Sequence, residues 1–567
     1  MRWTLKPQPD AVKTQQLSQE LGIDPFLAGL LVQRGVDAFA KAKSFFRPDL
    51  NELHDPFLMK DMDVAVKRIQ QAIGNNENIL IYGDYDVDGT TSVALVSTFI
   101  SSYYDRVATY IPDRYDEGYG ISHQGIDYAS DNEFSLIIAL DCGVKAIDKV
   151  AYAQEKGIDF IICDHHRPGK KLPNAVAVLD PKRVDCDYPY DELCGCGVGF
   201  KLCQALVESY EWDFDILIPY LDLVATAIGA DIVPITGENR ILAYHGMEVI
   251  NTDPRPGFKA IIHQINKDQL NITDVVFIIA PRINAAGRMK HALHAVELMT
   301  TTDFDQALIF AKEIEEFNTD RREADQSITI EALEQITAHK EESGFTTVVY
   351  NENWHKGVIG IVASRLIETY YRPTLVFTKS GDKLAASARS VSGYDVYNAL
   401  EQCSEFIEQF GGHKYAAGLT LLPENYDKFK ARFEEVVCAT IDKKCLTPEL
   451  KIDATIPLEA IDSKFYRIIE QMGPFGPGNM RPVFMSSKVM DSGYGKCVGK
   501  EKDHLKLKVV PSSKNKNGID AIGFNLGHKQ EFIKTEQKFD IAYVLDQNVW
   551  QGNTTLQLRL KDLKPSL

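Results

Sequence analysis

The chain has 567 residues, 44% hydrophobic and 25% charged, with a formal net charge of −18 at pH 7. That length is more than one hydrophobic core organises and implies three or four domains of an ordinary soluble globular protein. No apolar run approaches the ~20 residues of a membrane helix, and Met1-Arg2-Trp3-Thr4-Leu5-Lys6-Pro7 lacks the apolar stretch of a signal peptide, so neither is expected.

In chain order, residues 1–54 mix short helical segments with turns at Pro25 and Pro48. Helical periodicity around 64–69 leads into a first strand at 78–82. From there to about 240, apolar β-type runs alternate with helix-length segments, the pattern of βαβ units and a mostly parallel sheet. Three of these runs end in acid. The first passes into Gly83-Asp84-Tyr85-Asp86-Val87-Asp88-Gly89, residues 137–140 into Asp141-Cys142-Gly143, and residues 160–163 into Asp164-His165-His166. Further strands are expected at 107–112 and 175–179.

A strand interior cannot hold unpaired carboxylates cheaply, but the carboxyl ends of strands in an open α/β sheet can, and they converge there. Carboxylates gathered in one place repel unless a cation sits among them. Asp with a minority of His, and no thiolate in the cluster, suits Mn²⁺ or Mg²⁺. A bland turn is the competing reading of the first motif alone, and a calcium loop is another. The calcium loop needs Glu at its twelfth position, where this chain has Leu95. The economical reading is a two-metal phosphoesterase site.

Residues 304–340 are polar, free of Gly and Pro, and read as one long or kinked helix joining two lobes. A second α/β lobe follows, with strands at 346–350, 374–377 and 383–388 and helices at 358–370 and 424–438. Beyond about Lys444, short alternating runs such as 505–510 and 554–560 suggest an antiparallel β barrel, reached through the turn-rich Gly473-Pro474-Phe475-Gly476-Pro477-Gly478-Asn479. Residues 488–516 carry Lys488, Lys496, Lys500, Lys502, Lys506, Lys508, Lys514 and Lys516 against Asp491, Glu501 and Asp503. This local basic stretch answers the objection that a net acidic chain should avoid nucleic acid, although a charge run is also what a solvated face looks like. The ten cysteines include no C-x-x-C pair, and Cys194-Gly195-Cys196 lacks partners for zinc, so reduced thiols of a cytoplasmic protein are expected.

Asp84-Tyr85-Asp86-Val87-Asp88-Gly89, Asp141-Cys142-Gly143 and Asp164-His165-His166 resemble the signatures of the DHH phosphoesterase superfamily. Asp231, in Gly229-Ala230-Asp231-Ile232-Val233-Pro234, resembles its fourth motif. Gly411-Gly412-His413 resembles the signature of the associated DHHA1 domain. Within the superfamily the pattern is most similar to the RecJ family of 5′→3′ single-strand-specific DNA exonucleases. Supporting runs are Ile111-Pro112-Asp113-Arg114, Glu117-Gly118-Tyr119-Gly120 and Pro281-Arg282-Ile283-Asn284-Ala285-Ala286-Gly287-Arg288. The resemblance spans about Asp55 to the C-terminus.

It implies an α/β fold: an N-terminal segment (1–54), a parallel-sheet DHH catalytic domain (55–303), a connecting helix (304–342), a smaller α/β DHHA1 domain (343–444) and a C-terminal OB-fold-like barrel (445–567). It also implies two divalent cations, one held by Asp84, Asp86 and Asp141 and the other by Asp88, Asp141, His165 and Asp231. Asp164 would orient a ligand, and His166 would meet the scissile phosphate or the leaving oxygen. For gripping the strand the candidates are Ser387, Arg389, Gly411, Gly412 and His413, with Arg114, Arg282 and Arg288 near the anionic terminus. Interdomain ion pairing is the bland alternative for Arg282 and Arg288. Trp354-His355 stands equally between substrate contact and packing, and Tyr115 and Tyr119 could stack on bases, though a turn Tyr usually packs its own loop. The expected function is 5′→3′ exonuclease action on single-stranded DNA in recombination and repair, by a monomer assisted by a helicase and a single-strand-binding protein. RNA or short oligonucleotides are the alternative substrates. A small-substrate DHH enzyme would not need the barrel, and a non-enzymatic scaffold would not need every motif carboxylate.

Overall fold

The computed structural model describes residues 1–265, 267–511, 518–533, 537–550 and 552–566. The first residues form β1 (Arg2–Leu5) and the helices Ala11–Leu21, Pro25–Gln33 and Phe39–Phe46. Asp10 and Asp24 start the first two helices by accepting hydrogen bonds from first-turn amides.

The catalytic lobe is built on β2 (Asn78–Gly83), β3 (Val107–Tyr110), β4 (Phe134–Leu140), β5 (Asp159–Cys163) and β6 (Ala177–Leu179), all parallel, in the order β3-β2-β4-β5-β6. Alternate residues feed opposite faces. Ile79, Ile81, Leu136, Ile138 and Ile161 join the core under the helices Val87–Ser101, Gly195–Ser209 and Leu221–Ala230. Leu80, Tyr82, Ile137 and Ile162 face Ile126, Ala129 and Val150 on the other side. Both faces are covered, which is why these strands read as continuous apolar runs. The chain leaves β2 toward β3 and then crosses to β4 on the other side. The carboxyl ends of β2 and β4 therefore flank the crevice where strand order reverses, the place where open α/β sheets bind ligands.

The connector is a single helix, Phe304–Ala338, of 35 residues. Its length is about 50 Å at 1.5 Å per residue. Glu315 pairs with Arg282 of the catalytic lobe (2.6 Å), and Asp325 pairs with Arg365 of the second lobe (2.7 Å). That lobe contains β7 (Thr347–Tyr350), β8 (Thr374–Ser380), β9 (Lys383–Arg389), β10 (Gln409–His413) and β11 (Ala416–Leu421), in the order β10-β11-β9-β8-β7. The helices Ile359–Thr369 and Tyr426–Thr440 bury Val362, Leu366, Phe429 and Phe433 against it.

At the C-terminal end, β12 (Glu449–Ile452) pairs in parallel with β1, and β13 (Ala454–Thr455) with β14 (Phe484–Asp491). The remaining strands are β15 (Lys496–Val498), β16 (His504–Val510), β17 (Ile519–Gly523), β18 (Phe539–Trp550) and β19 (Asn553–Pro565). The order β14-β18-β19-β17-β16 closes on itself through Met490↔Val510 and Asp491↔Val509, giving a barrel with β15 at its edge.

Residues 1–54 share the barrel's core. Leu17, Leu27, Leu30 and Leu31 pack in one cluster with Phe465, Phe484, Tyr543 and Leu558. Trp3 Nε1 donates to Asp562 (2.8 Å), and Lys6 pairs with Asp453 (2.7 Å). The opposite ends of the chain thus make one body. All ten cysteines are free, and among the described residues no helix is long and apolar enough to cross a membrane.

Candidate metal centre and anion pocket

Each strand-end carboxylate arrives by a different local device. Asp84 follows β2, and Asp86 caps the helix Val87–Ser101 by accepting from Gly89 N (3.1 Å). Asp88 lies in that helix's first turn. Asp141 ends β4 in a left-handed conformation (φ 57°), rare for a residue with a side chain, and its N–H donates to Cys163 O (2.9 Å). His165 follows β5, and Asp231 terminates the helix Leu221–Ala230.

Asp84, Asp88 and Asp141 are at most 2% exposed and His165 6%. Three sets of potential ligand atoms lie close together: Asp84, Asp86 and Asp141; Asp88, His165 and Asp231; and Asp141, His165 and His166. His165 Nε2 stands 3.2 Å from Asp141 Oδ1 and 3.6 Å from both Asp88 Oδ2 and Asp231 Oδ2. Asp141 and His165 therefore join the sets. Both oxygens of Asp84 and Oδ1 of Asp141 are buried without a hydrogen-bond partner among the described residues.

The electrostatics follow from that crowding. Burial first, and then neighbouring carboxylates, push Asp84 and Asp141 well above the usual carboxylate range. The same causes raise Asp88 to about 7 and Asp231 to about 8. Burial lowers His165 to about 3, keeping it a neutral imidazole that can offer a lone pair. Such a nest of unsatisfied oxygens around a neutral imidazole fits hard divalent cations.

Asp164 is turned elsewhere. Its Oδ1 accepts from His165 N (2.8 Å), His166 N (3.1 Å) and His166 Nδ1 (2.8 Å), and its Oδ2 from Val144 N (2.9 Å). These contacts outweigh burial and hold it below the usual carboxylate range. They also raise His166 to about 9 against the opposing effect of burial. The half-exposed His166 ring is left with Nε2 facing Tyr119 Oη at 3.3 Å.

Across the cleft lies a cluster of guanidiniums. Arg288 is partly buried; desolvation first, then Arg114, Arg389 and Arg321, depress it to about 10. Arg114 stacks on the Tyr85 ring (3.9 Å), and Arg288 Nη1 donates to Gly357 O of the second lobe (2.9 Å). Arg389 Nη1 donates to Ser387 Oγ (3.0 Å) and Ala388 O (2.8 Å). Strand register sets the remaining candidates beside it. Arg389 pairs with Ala416, which pairs with His413, and Ser387 pairs with Gly418, which pairs with Gly411. A Cβ at Gly360 would come within 2.9 Å of both Arg389 Nη2 and Ser387 Oγ, so the turn of helix over them must be bare.

Family models match in three places: the DHH family N-terminal domain at residues 78–228, the DHHA1 domain at 342–439 and the RecJ OB domain at 452–562. The chain is 36% identical to the single-stranded-DNA-specific exonuclease RecJ of Bacillus subtilis (strain 168), over 99% of this chain and 70% of that protein. The chain belongs to the RecJ family. Its fold matches crystalline RecJ of Thermus thermophilus in complex with Mn²⁺, with a TM-score of 0.85 at 24% identity, covering 100% of this chain and 80% of that one. An exonuclease RecJ bound to manganese gives a TM-score of 0.61 at 29% identity, covering 70% of this chain and 97% of that one.

Within this RecJ-family site the geometry sorts the candidates. It brings the acids and His165 together, and it sets Arg114, Arg288, Ser387, Arg389 and His413 across the cleft. Arg282 is a correction: its Nε is spent on Glu315 and its Nη1 on Ile278 O (2.8 Å), so it ties the connector to the lobe. Gly412 (φ 140°) serves its own hairpin, where a Cβ would meet Ala416 O at 2.4 Å, whereas a Cβ on Gly411 would meet nothing. Trp354 is a packing anchor, buried with Nε1 on Glu331 (2.8 Å). Lys514 and Lys516 lie outside the described residues.

The sequence reading missed two features. Gly195 N and Cys196 N, at the start of the helix Gly195–Ser209, donate to Asp88 Oδ2 (2.6 Å) and Oδ1 (2.8 Å). A Cβ on Gly195 would lie 2.6 Å from Asp141 Oδ1. Asp180, just past β6, is wholly buried beside Asp164 and raised to about 7, chiefly by burial.

Proposed function

We propose that the chain removes nucleotides from the 5′ end of single-stranded DNA by phosphodiester hydrolysis with two divalent cations, Mn²⁺ or Mg²⁺. The observation that carries this is Asp141 and His165 joining two ligand sets beside three guanidiniums. Bound cations would neutralise the scissile phosphate and supply a nucleophilic water at neutral pH. Asp84, Asp86 and Asp141 would hold one cation; Asp88, Asp141, His165 and Asp231 would hold the other.

The chain's own groups do the rest. Arg114, Arg288 and Arg389, with Ser387, take the terminal 5′-phosphate and fix which end enters. The manganese-bound relative supports the choice of metal. His166, held by Asp164 through Nδ1, presents Nε2 toward the leaving oxygen, so a charged imidazolium stands where negative charge develops. The cleft between lobes admits an unpaired strand. Beyond it, the barrel groove of about 330 Å³ lined by Tyr494, Lys496, Lys506, Lys508 and Asp520 suits a single strand, pairing phosphates with lysines and a base with an exposed aromatic ring.

Work in recombination and repair, in the cytoplasm, as a monomer supplied with single strands by a helicase and a single-strand-binding protein completes the proposal. The reduced thiols and the need for an unpaired substrate support those parts. The test is digestion of single-stranded and duplex DNA labelled at either end, with and without Mn²⁺. Metal-dependent release of 5′ label from single strands is expected. First release of 3′ label, or equal digestion of blunt duplex, would overturn it.

A further inference from the structure

Beside the metal centre lies a cavity of about 370 Å³. Its walls include Tyr119, Ile121, Val144, Lys145, Ile147 and Lys149, and it reaches Asp164 and His166. That size is within the roughly 300–1,000 Å³ of small-ligand pockets. Several wall groups are unusually placed for a surface with no occupant. Tyr119 is 57% exposed and Ile147 41%. Lys145 and Lys149 have no ion-pair partner among the described residues. Two acids also line it, Asp148 and Asp164, and the latter is engaged by His166 and by backbone N–H groups.

Close neighbours link the arginines to the cavity: Asp86 acts on Arg288, Asp86 shares a ligand set with Asp141, and His166, which lines the cavity, lies 3.9 Å from Asp141 Oδ1. Resting on the function proposed above, a strand whose terminal phosphate sits on the arginines and whose scissile phosphate sits at the acids must continue past His166. We infer that this cavity holds the nucleotide immediately 3′ of the scissile bond. Its base lies against Tyr119, Val144 and Ile147, and its next phosphate meets Lys145 and Lys149. The occupant is nucleotide-like because an aromatic ring and aliphatic walls suit any base face, while flexible ammonium groups suit a backbone phosphate. The site accounts for how the enzyme places one particular phosphate among many identical ones at the acids.

Two variants test this, Ile147→Asp and the double exchange Lys145→Glu with Lys149→Glu. Lys145 and Ile147 are exposed and Lys149 is half-buried, and an unchanged melting temperature with and without Mn²⁺ verifies the fold. Ile147→Asp should raise KM for single-stranded DNA about tenfold with kcat held within about twofold. A strand with an abasic residue at its second position should cost wild type a similar factor, and should cost Ile147→Asp little more, because both changes disrupt the same base-to-wall packing. The lysine variant should lower the salt slope of binding by about 1, read without turnover. Equal abasic cost in wild type and Ile147→Asp, sensitivity at the first position alone, or an unchanged salt slope would each overturn the inference. Failure of the functional reading shows separately, as absence of 5′-end digestion by the wild-type enzyme.

Discussion

At the ends of β2 and β4, Asp84, Asp88 and Asp141 are driven together in the protein interior, with Asp88 held by the Gly195 and Cys196 N–H groups. On the barrel, Lys496 and Lys506 stand directly opposite each other across β15 and β16, in the open and without ion-pair partners among the described residues. Like charges directly opposed cost stability in both places, but the remedies differ. The buried acids need a particular ion at a particular point, so small displacements matter. The exposed lysines need only a polyanion passing by, so each is replaceable. Chemistry is over-determined in the first region, and grip is spread out in the second.

The sharpest break in that comparison is Asp141→Ala. Losing the carboxylate that joins both ligand sets should cut kcat by on the order of 10³-fold or more, through several kcal/mol of lost charge stabilisation. The fold should survive, since removing one of the crowded carboxylates relieves repulsion. Circular dichroism and a steady-state assay decide it. Near-normal turnover by the folded variant would sink the two-cation account.

Gly195→Ala comes next. The added methyl would sit within 3 Å of the Asp141 carboxylate, shifting a ligand without removing any. Changes of that kind cost about 10–100-fold in metal affinity or activity. Mn²⁺ titration by calorimetry should show weakened binding, whereas Gly411→Ala, with open space around it, should bind the ion as wild type does.

Arg389→Ala probes the cleft between the two regions. KM for 5′-phosphorylated strands should rise about tenfold or more, as for loss of a hydrogen bond between charged groups. Strands lacking the phosphate should suffer less, because they never engage the guanidinium in that way. Equal effects on both would place Arg389 in structural support of Ser387 instead. On the barrel, replacing Lys496, Lys506 and Lys508 together by Gln should leave kcat unchanged. The salt slope of binding should fall by about 2, near 0.7 for each phosphate no longer neutralised on a single strand. An unaltered slope would show the lysines to be only a solvated face.

The same contrast explains what was legible in the sequence. Asp84, Asp141 and His165 stood out because acids and imidazoles directly after apolar strands have no inexpensive core role. Asp180 carried that same signal after 175–179 and was passed over for want of a neighbouring motif. Gly195 and Cys196 act through backbone N–H groups, which every residue but proline has, so side-chain chemistry could not single them out. Arg282 and Arg288 are six residues apart and alike in type; only the position of Glu315 on the connector separates them. The union of residues 1–54 with the barrel depends on pairing such as Trp3 with Leu450, far outside any local pattern.

The smallest effect is thermal. Asp88 and Asp231 would release their protons near 3.8 in the unfolded chain but near 7 and 8 in the folded one. Between those values the native state binds more protons than the unfolded state, so stability of the metal-free protein falls as pH rises. His166, raised to about 9 from 6.5, acts in the same direction above pH 6.5, since the proton it keeps when folded is lost as pH climbs. His165, lowered to about 3, opposes them only below 6.5, where the unfolded chain takes up a proton that the folded one refuses. The clear window is therefore pH 6.5 to 8. The metal-free protein should melt a few degrees lower at 8 than at 6.5, and the shift produced by Mn²⁺ should be larger at 8, where the cation no longer competes with protons. Calorimetry in buffers of different ionisation enthalpy should show proton release on Mn²⁺ binding that shrinks across the same window. A melting temperature that rises from 6.5 to 8 without metal would mean that these carboxylates are solvated and apart, and the barrel's loose arrangement of charge would then describe the acids as well.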